Sequence, residues 1–218
     1  VLNLTPADAT NGGIVTTGSQ TFAGAKTFSN DISVNENKFG RGAGSSGSRN
    51  IAIGINPLAA NTSGTFNTAI GAYALESNTT SSNNTAIGNN ALKNATGSSN
   101  TAVGSNALLN STTGIDNTAI GKDSMICNTT GCLNTAVGFG SLRCITTAVQ
   151  NVAVGYNALV EVTTGNSNVA VGEDAGDAIT TGYYNAALGQ GALGNVVGGV
   201  NNVAVGQDSG KDGMIDII

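Results

Sequence analysis

The chain has 218 residues, a formal net charge of −5 with only eight Lys and Arg, 32 glycines, two prolines, 4% aromatic residues, and neither Trp nor His. So little positive charge leaves no basic stripe to hold phosphates and argues against nucleic-acid binding. The missing histidine excludes a Ser-His-Asp triad, a Cys-His pair and the common zinc sites. No run approaches the ~18 uninterrupted apolar residues of a membrane span, so no membrane insertion is expected.

The chain begins Val-Leu-Asn-Leu-Thr, with neither a signal-peptide pattern nor a Met, as expected of a processed product or a fragment. Residues 1–49 read as an N-terminal linking segment of short extended pieces, clearest at 13–18 (Gly-Ile-Val-Thr-Thr-Gly) and 20–28 (Gln-Thr-Phe-Ala-Gly-Ala-Lys-Thr-Phe). Residues 40–49, rich in Gly and Ser, form a flexible or tightly turning junction.

From residue 50 to 210 the block Asn-x-Ala-[Ile/Val/Leu]-Gly recurs ten times. Its glycines are Gly54, Gly71, Gly88, Gly104, Gly121, Gly138, Gly155, Gly172, Gly189 and Gly206, spaced by 17 residues except for a single step of 16. A unit this short cannot bury a core alone, so neighbours must stack: the sequence predicts an all-β fold, a parallel β-solenoid of ten coils. With one coil every ~4.8 Å the rod is roughly 48 Å long.

Each column of the repeat carries its own reading. Asn50, Asn67, Asn84, Asn100, Asn117, Asn134, Asn151, Asn168, Asn185 and Asn202 stand four residues before the glycines, and stacked amides can bond to one another. Side chains alternate along a strand, so Asn and the invariant Ala point one way while the Thr/Val and Ile/Val columns point the other. We place Ala in a narrow coil interior and the β-branched columns against a neighbouring subunit, the reverse being the alternative.

Two residues after the glycine, Asn, Asp or Gly recurs, with Tyr73 the exception, which marks a corner at positive φ. A row of Leu follows, from Leu58 to Leu193, read as a second short strand with Leu reaching inward. The return segment is rich in Thr, Ser and Gly, and the 16-residue step falls inside it, where a loop absorbs a deletion. The tail, residues 211–218, ends in Met-Ile-Asp-Ile-Ile, an apolar stretch expected to pack on the last coil, pair with another subunit or lead into a further domain.

Blocks such as Asn67-Thr-Ala-Ile-Gly71 and Asn151-Val-Ala-Val-Gly155 resemble the head repeats of trimeric autotransporter adhesins, the YadA-like heads. The resemblance covers residues 50–210 and implies a left-handed β-roll with three chains around a threefold axis. The period of 17 is longer than is usual there, and no heptad stalk or membrane anchor is visible. Residues 17–28 are similar to short linking segments of phage tail fibres and related bacterial surface proteins, which shifts the expected setting toward a phage fibre.

Among the remaining residues, Asp174 and Asp177 are acids that stacking could bring together for hydrolysis, although solubilising and turn-forming roles are the simpler assignment. Asp123, Asp174 and Asp208 share the corner column, yet Asn or Gly replaces the acid elsewhere, so turn formation is expected rather than calcium binding. Cys127 and Cys144 occupy one column of adjacent coils, ~4.8 Å apart, within disulfide range. Parallel Cβ vectors oppose the bond, Cys132 competes for either partner, and free thiols are the other outcome. The Thr-Thr pairs suit turns better than an ice-binding lattice.

These readings converge on a structural fibre protein without enzymatic activity, cofactor or metal. The expected assembly is a homo-oligomer, foremost a trimer, with end-to-end filaments as the alternative. The expected setting is a virion tail fibre, as shaft or host-recognition element, or the bacterial surface, where an adhesin head would meet a host-cell receptor or glycan.

Overall fold

The computed structural model describes residues 31–42 and 49–211, with the backbone alone for Val34. The extended pieces expected at 13–18 and 20–28, most of the 40–49 junction, and the tail beyond Lys211 lie outside the described residues.

Among the described residues twelve strands form one sheet in chain order: β1 (Ile32–Val34), β2 (Asn37–Gly40), β3 (Ile51–Gly54), β4 (Thr68–Ile70), β5 (Thr85–Ile87), β6 (Thr101–Val103), β7 (Thr118–Ile120), β8 (Thr135–Val137), β9 (Val152–Val154), β10 (Val169–Val171), β11 (Ala186–Leu188) and β12 (Val203–Val205). From β3 to β12 every pairing is parallel and in register, Ala on Ala at each step, for example Ala102 on Ala119 and Ala119 on Ala136. The expected parallel β-solenoid is therefore the fold. Its first edge carries an addition: β1 and β2 are an antiparallel hairpin, and β2 pairs antiparallel with β3 through Lys38–Gly54, Phe39–Ile53 and Gly40–Ala52. Residues 31–42, read from sequence as part of the linking segment, thus contribute two strands to the solenoid's own sheet.

We number each coil from its Asn as position 1, so that the invariant glycine is position 5. Position 3 is Ala with essentially no exposure in all ten coils, and position 9 is a fully buried Leu or Met wherever it is not Gly. These two rows fill the thin interior, which settles the orientation: Ala faces in, and positions 2 and 4 face out. Burial of one Leu side chain contributes about 1.5–3 kcal/mol, so the Leu row is a large apolar term in every coil that carries it.

The Leu row is not on a second strand, however. Positions 7 and 9 both take positive φ, as in Tyr73 at 61° and Leu75 at 52°, and the segment is a run of turns. Three hydrogen bonds of the i+3 to i type follow one another in coil 2, from Ala74 N to Gly71 O, Glu76 N to Tyr73 O, and Asn78 N to Leu75 O. In the first two of these turns the third residue, Tyr73 and then Leu75, is at positive φ, the geometry of type II turns. The N–H groups in between bond to neighbouring coils instead: Tyr73 N donates to Ile55 O, Leu75 N to Ala91 O, and Ser77 N to Lys93 O. Ala74 and Leu75 are consecutive and both fully buried, so the run lacks the in-and-out alternation of a strand. Tyr73, the sequence exception at the corner, takes the same left-handed conformation as its Asn and Asp counterparts.

Candidate functional site

The position-1 asparagines form a continuous buried ladder, but amide-to-amide bonding is only part of it. In every step from Asn67 to Asn202 the backbone N–H of one Asn donates to the Oδ1 of the Asn one coil before, as with Asn117 N to Asn100 Oδ1 at 3.0 Å. The Nδ2 crosses its own coil to the carbonyl at position 15, as from Asn134 to Ala148 O at 2.8 Å. Direct amide contacts between coils join Asn117 to Asn100 and continue through Asn202. Asn134 thus satisfies all four hydrogen-bonding positions of its side chain.

At position 5 the glycines lie at φ between 117° and 140°. A Cβ built on Gly104 would sit 2.5 Å from Gly121 O, so the stacking distance itself requires glycine here.

The outward strand face runs continuously from β3 to β12. Position 4 supplies Ile, Val or Leu in every coil, including Ile120 at 40% exposure, Val171 at 38% and Val205 at 68%. Position 2 supplies Thr in β4 through β8 and Val in β9, β10 and β12, all in register. No charged residue falls on either column.

Charge is confined elsewhere. Of the twelve charged residues between 50 and 211, eleven stand at positions 6, 7, 10 and 11 of the turn run, namely Glu76, Lys93, Lys122, Asp123, Arg143, Glu161, Glu173, Asp174, Asp177, Asp208 and Lys211; Asp116 is the exception. The same run carries weak surface ladders: Lys93 pairs with Glu76 at 3.3 Å, Phe139 stacks on Tyr156, and Lys122 lies over the Phe139 ring. Sequence segregation alone therefore separates a wet turn run from an uncharged strand face.

Asp174 and Asp177 do come together. Glycine at positions 7 and 10 of coil 9, Gly191 and Gly194, opens a polar notch of about 200 Å³ walled by Asp174, Asp177, Asp208 and Lys211. Burial first, and the neighbouring Asp174 second, push the Asp177 carboxyl above the usual Asp value. Among the described residues no group of three His, Cys, Asp or Glu is arranged to hold a metal ion. Asp123, the remaining acid of the corner column, accepts a hydrogen bond from Asn106 at 3.0 Å.

Cys127 and Cys144 occupy the same column of adjacent coils, as their spacing required, and Cys132 lies apart; all three are free thiols. Burial, then Glu161, then Cys127 push the Cys144 thiol up. In seven return segments the first Thr donates its hydroxyl to the next coil, as in Thr112 Oγ1 to Thr129 O and Thr129 Oγ1 to Thr146 O, both 3.0 Å.

Two columns escaped the sequence reading. Position 17 is left-handed from Phe66 to Asn201 although its residues share no chemistry. Position 12 is buried throughout coils 1 to 8 and changes from Asn61, Asn78, Ser111 and Asn128 to Ile145, Val162 and Ile179. A column-by-column search for buried polar residues in the Asn-Thr-Thr segments would have exposed the second.

No protein-family model matches the chain, and neither a curated protein nor a solved structure matches it.

Proposed function

We propose that the chain is a segment of a structural fibre and not an enzyme: a rigid solenoid shaft that packs with two further copies along its strand face. The observation that carries this reading is the uncharged strand face, with Ile, Val or Leu at position 4 on every rung while the charges gather on the turn run. Contiguous exposed apolar surface of that extent is characteristic of interaction faces. Side-by-side packing along a common axis matches every rung of one copy with rungs of its neighbours, because all the copies share one spacing.

A virion tail fibre is the setting favoured by the resemblance of residues 17–28, with the shaft as spacer or host-recognition element. The YadA-like repeat favours a second setting, the head of a bacterial surface adhesin. In either case recognition of a receptor or glycan falls to the variable turn and return segments, since the strand columns are dictated by stacking. Sedimentation equilibrium tests the assembly: the expected mass is three times the 21.4 kDa chain. A stable monomer at micromolar concentration would remove the reading.

A further inference from the structure

The position-12 column forms a second internal asparagine ladder, and it breaks at a place that can be named. Where Asn stands at this position, its Nδ2 donates to the position-15 carbonyl of the same coil: Asn61 to Gly64 O, Asn78 to Ser81 O, and Asn128 to Gly131 O. Those carbonyls also accept the Nδ2 of the position-1 Asn, so each receives two side-chain hydrogen bonds. Between successive coils Asn78 Nδ2 also donates to Asn61 Oδ1.

Coil 3 interrupts this pattern with Ala95. Its methyl cannot donate to Asn78 Oδ1, which is fully buried and has no partner among the described residues. Gly97 O accepts Asn84 Nδ2 and lacks the second amide that its counterparts receive. Two acceptors, Asn78 Oδ1 and Gly97 O, therefore flank the place an Asn amide nitrogen would take at the Ala95 rung, as Asn61 Oδ1 and Ser81 O flank the Asn78 Nδ2 one coil earlier. Groups left unpaired in such a place forfeit the hydrogen bonds that water gave them in the unfolded chain.

We propose that the solenoid interior holds one bound water at the Ala95 rung, donating its two hydrogens to Asn78 Oδ1 and Gly97 O. Two partners lie within the range found for buried waters. A cation is disfavoured there because no charged residue stands in the interior columns. The water takes the place of the missing amide nitrogen, so that the ladder runs unbroken past the Ala. Asn128 Oδ1, also without a partner among the described residues, is followed on the next rung by Ile145, a fully buried side chain larger than Ala and apolar throughout, so no water is expected beside it.

A crystal structure of the protein at better than about 2 Å tests the site. The expected result is one ordered water within hydrogen-bond distance of Asn78 Oδ1 and Gly97 O, and none beside Asn128 Oδ1. An empty or apolar-filled space at Ala95 overturns the proposal. The Ala95→Asn variant adds an independent readout: its unfolding midpoint is expected to move to higher denaturant, with the water gone and the introduced amide donating to Asn78 Oδ1. A midpoint that moves down, with the water retained or the ladder unjoined, also overturns it.

Discussion

Asn134 Oδ1 accepts both the backbone N–H and the side-chain amide of Asn151, at 3.0 and 3.2 Å. One carboxamide thereby fixes the next coil's height and its lateral position together, while its own Nδ2 ties the coil shut through Ala148 O. Replacing Asn134 with Ala strands a buried N–H and a buried carbonyl at once. The expected loss is about 2–4 kcal/mol of unfolding free energy by denaturant titration. Asn134→Asp, which keeps the acceptor but cannot donate to Ala148 O, should also destabilise. An unchanged midpoint for both variants would mean that the ladder follows the stacking and does not hold it.

The glycine column should be intolerant in a way the corner column is not. Gly104→Ala places a methyl 2.5 Å from Gly121 O at φ 138°, so a cost above about 2 kcal/mol is expected. Gly140, at φ 63°, sits in a column otherwise filled by Asn and Asp, and Gly140→Asn should be near neutral. Equal losses in the two variants, measured by thermal unfolding, would contradict this assignment.

Ala119 is fully buried between Ala102 and Ala136. Ala119→Phe overpacks a coil too thin to admit a ring, and a loss of roughly 1–3 kcal/mol, the scale of core overpacking in general, is the minimum expected. Stability unaffected by this change would mean that the Ala row does not line the interior.

Much of this was legible in the sequence, and the illegible part has a physical cause. The Asn134 and Gly104 columns announce themselves because stacking admits one residue type there. Leu75 misled: a regular inward Leu shortly after the corner looks like a second strand, whereas its φ of 52° belongs to linked turns whose N–H groups alternate between their own coil and a neighbouring one. Position 12 was hidden because the interior accepts either Asn128 or Ile145 there, so no single residue type marks the column. Position 17 accepts Phe66 and Ser167 alike, since its left-handed backbone is imposed by the coil on side chains that point outward. The notch at Asp174 and Asp177 depended on two glycines in the following coil, which matter only once the coils are stacked.

The Asp177 carboxyl binds its proton more tightly in the folded protein than in the unfolded chain. Its contribution to stability is therefore fully present below the usual Asp range and is lost as the pH rises through the raised folded value. The wild-type unfolding midpoint should decline over that window, and Asp177→Asn should remove that part of the decline and be the more stable protein at neutral pH. Parallel pH profiles for the two proteins would exclude the effect.

Cys127 and Cys144, unbonded and on adjacent rungs ~4.8 Å apart, should be the pair that joins when glutathione disulfide is added as oxidant. The raised thiol of Cys144 makes this slow at neutral pH and faster as the pH rises. Peptide mapping that finds Cys132 in the bond instead, or only mixed disulfides with glutathione, would show that parallel side chains cannot close it.

The strand face is the centre of this account, and a single charge placed on it is its most direct test. Val171 stands outward on β10 in the uncharged column, 38% exposed in one chain. Sedimentation equilibrium of Val171→Lys beside the wild type should give the 21.4 kDa monomer for the variant and three times that mass for the parent, with both still folded by circular dichroism. A folded variant that keeps the parent's trimeric mass would contradict the assignment of the strand face as the seat of assembly.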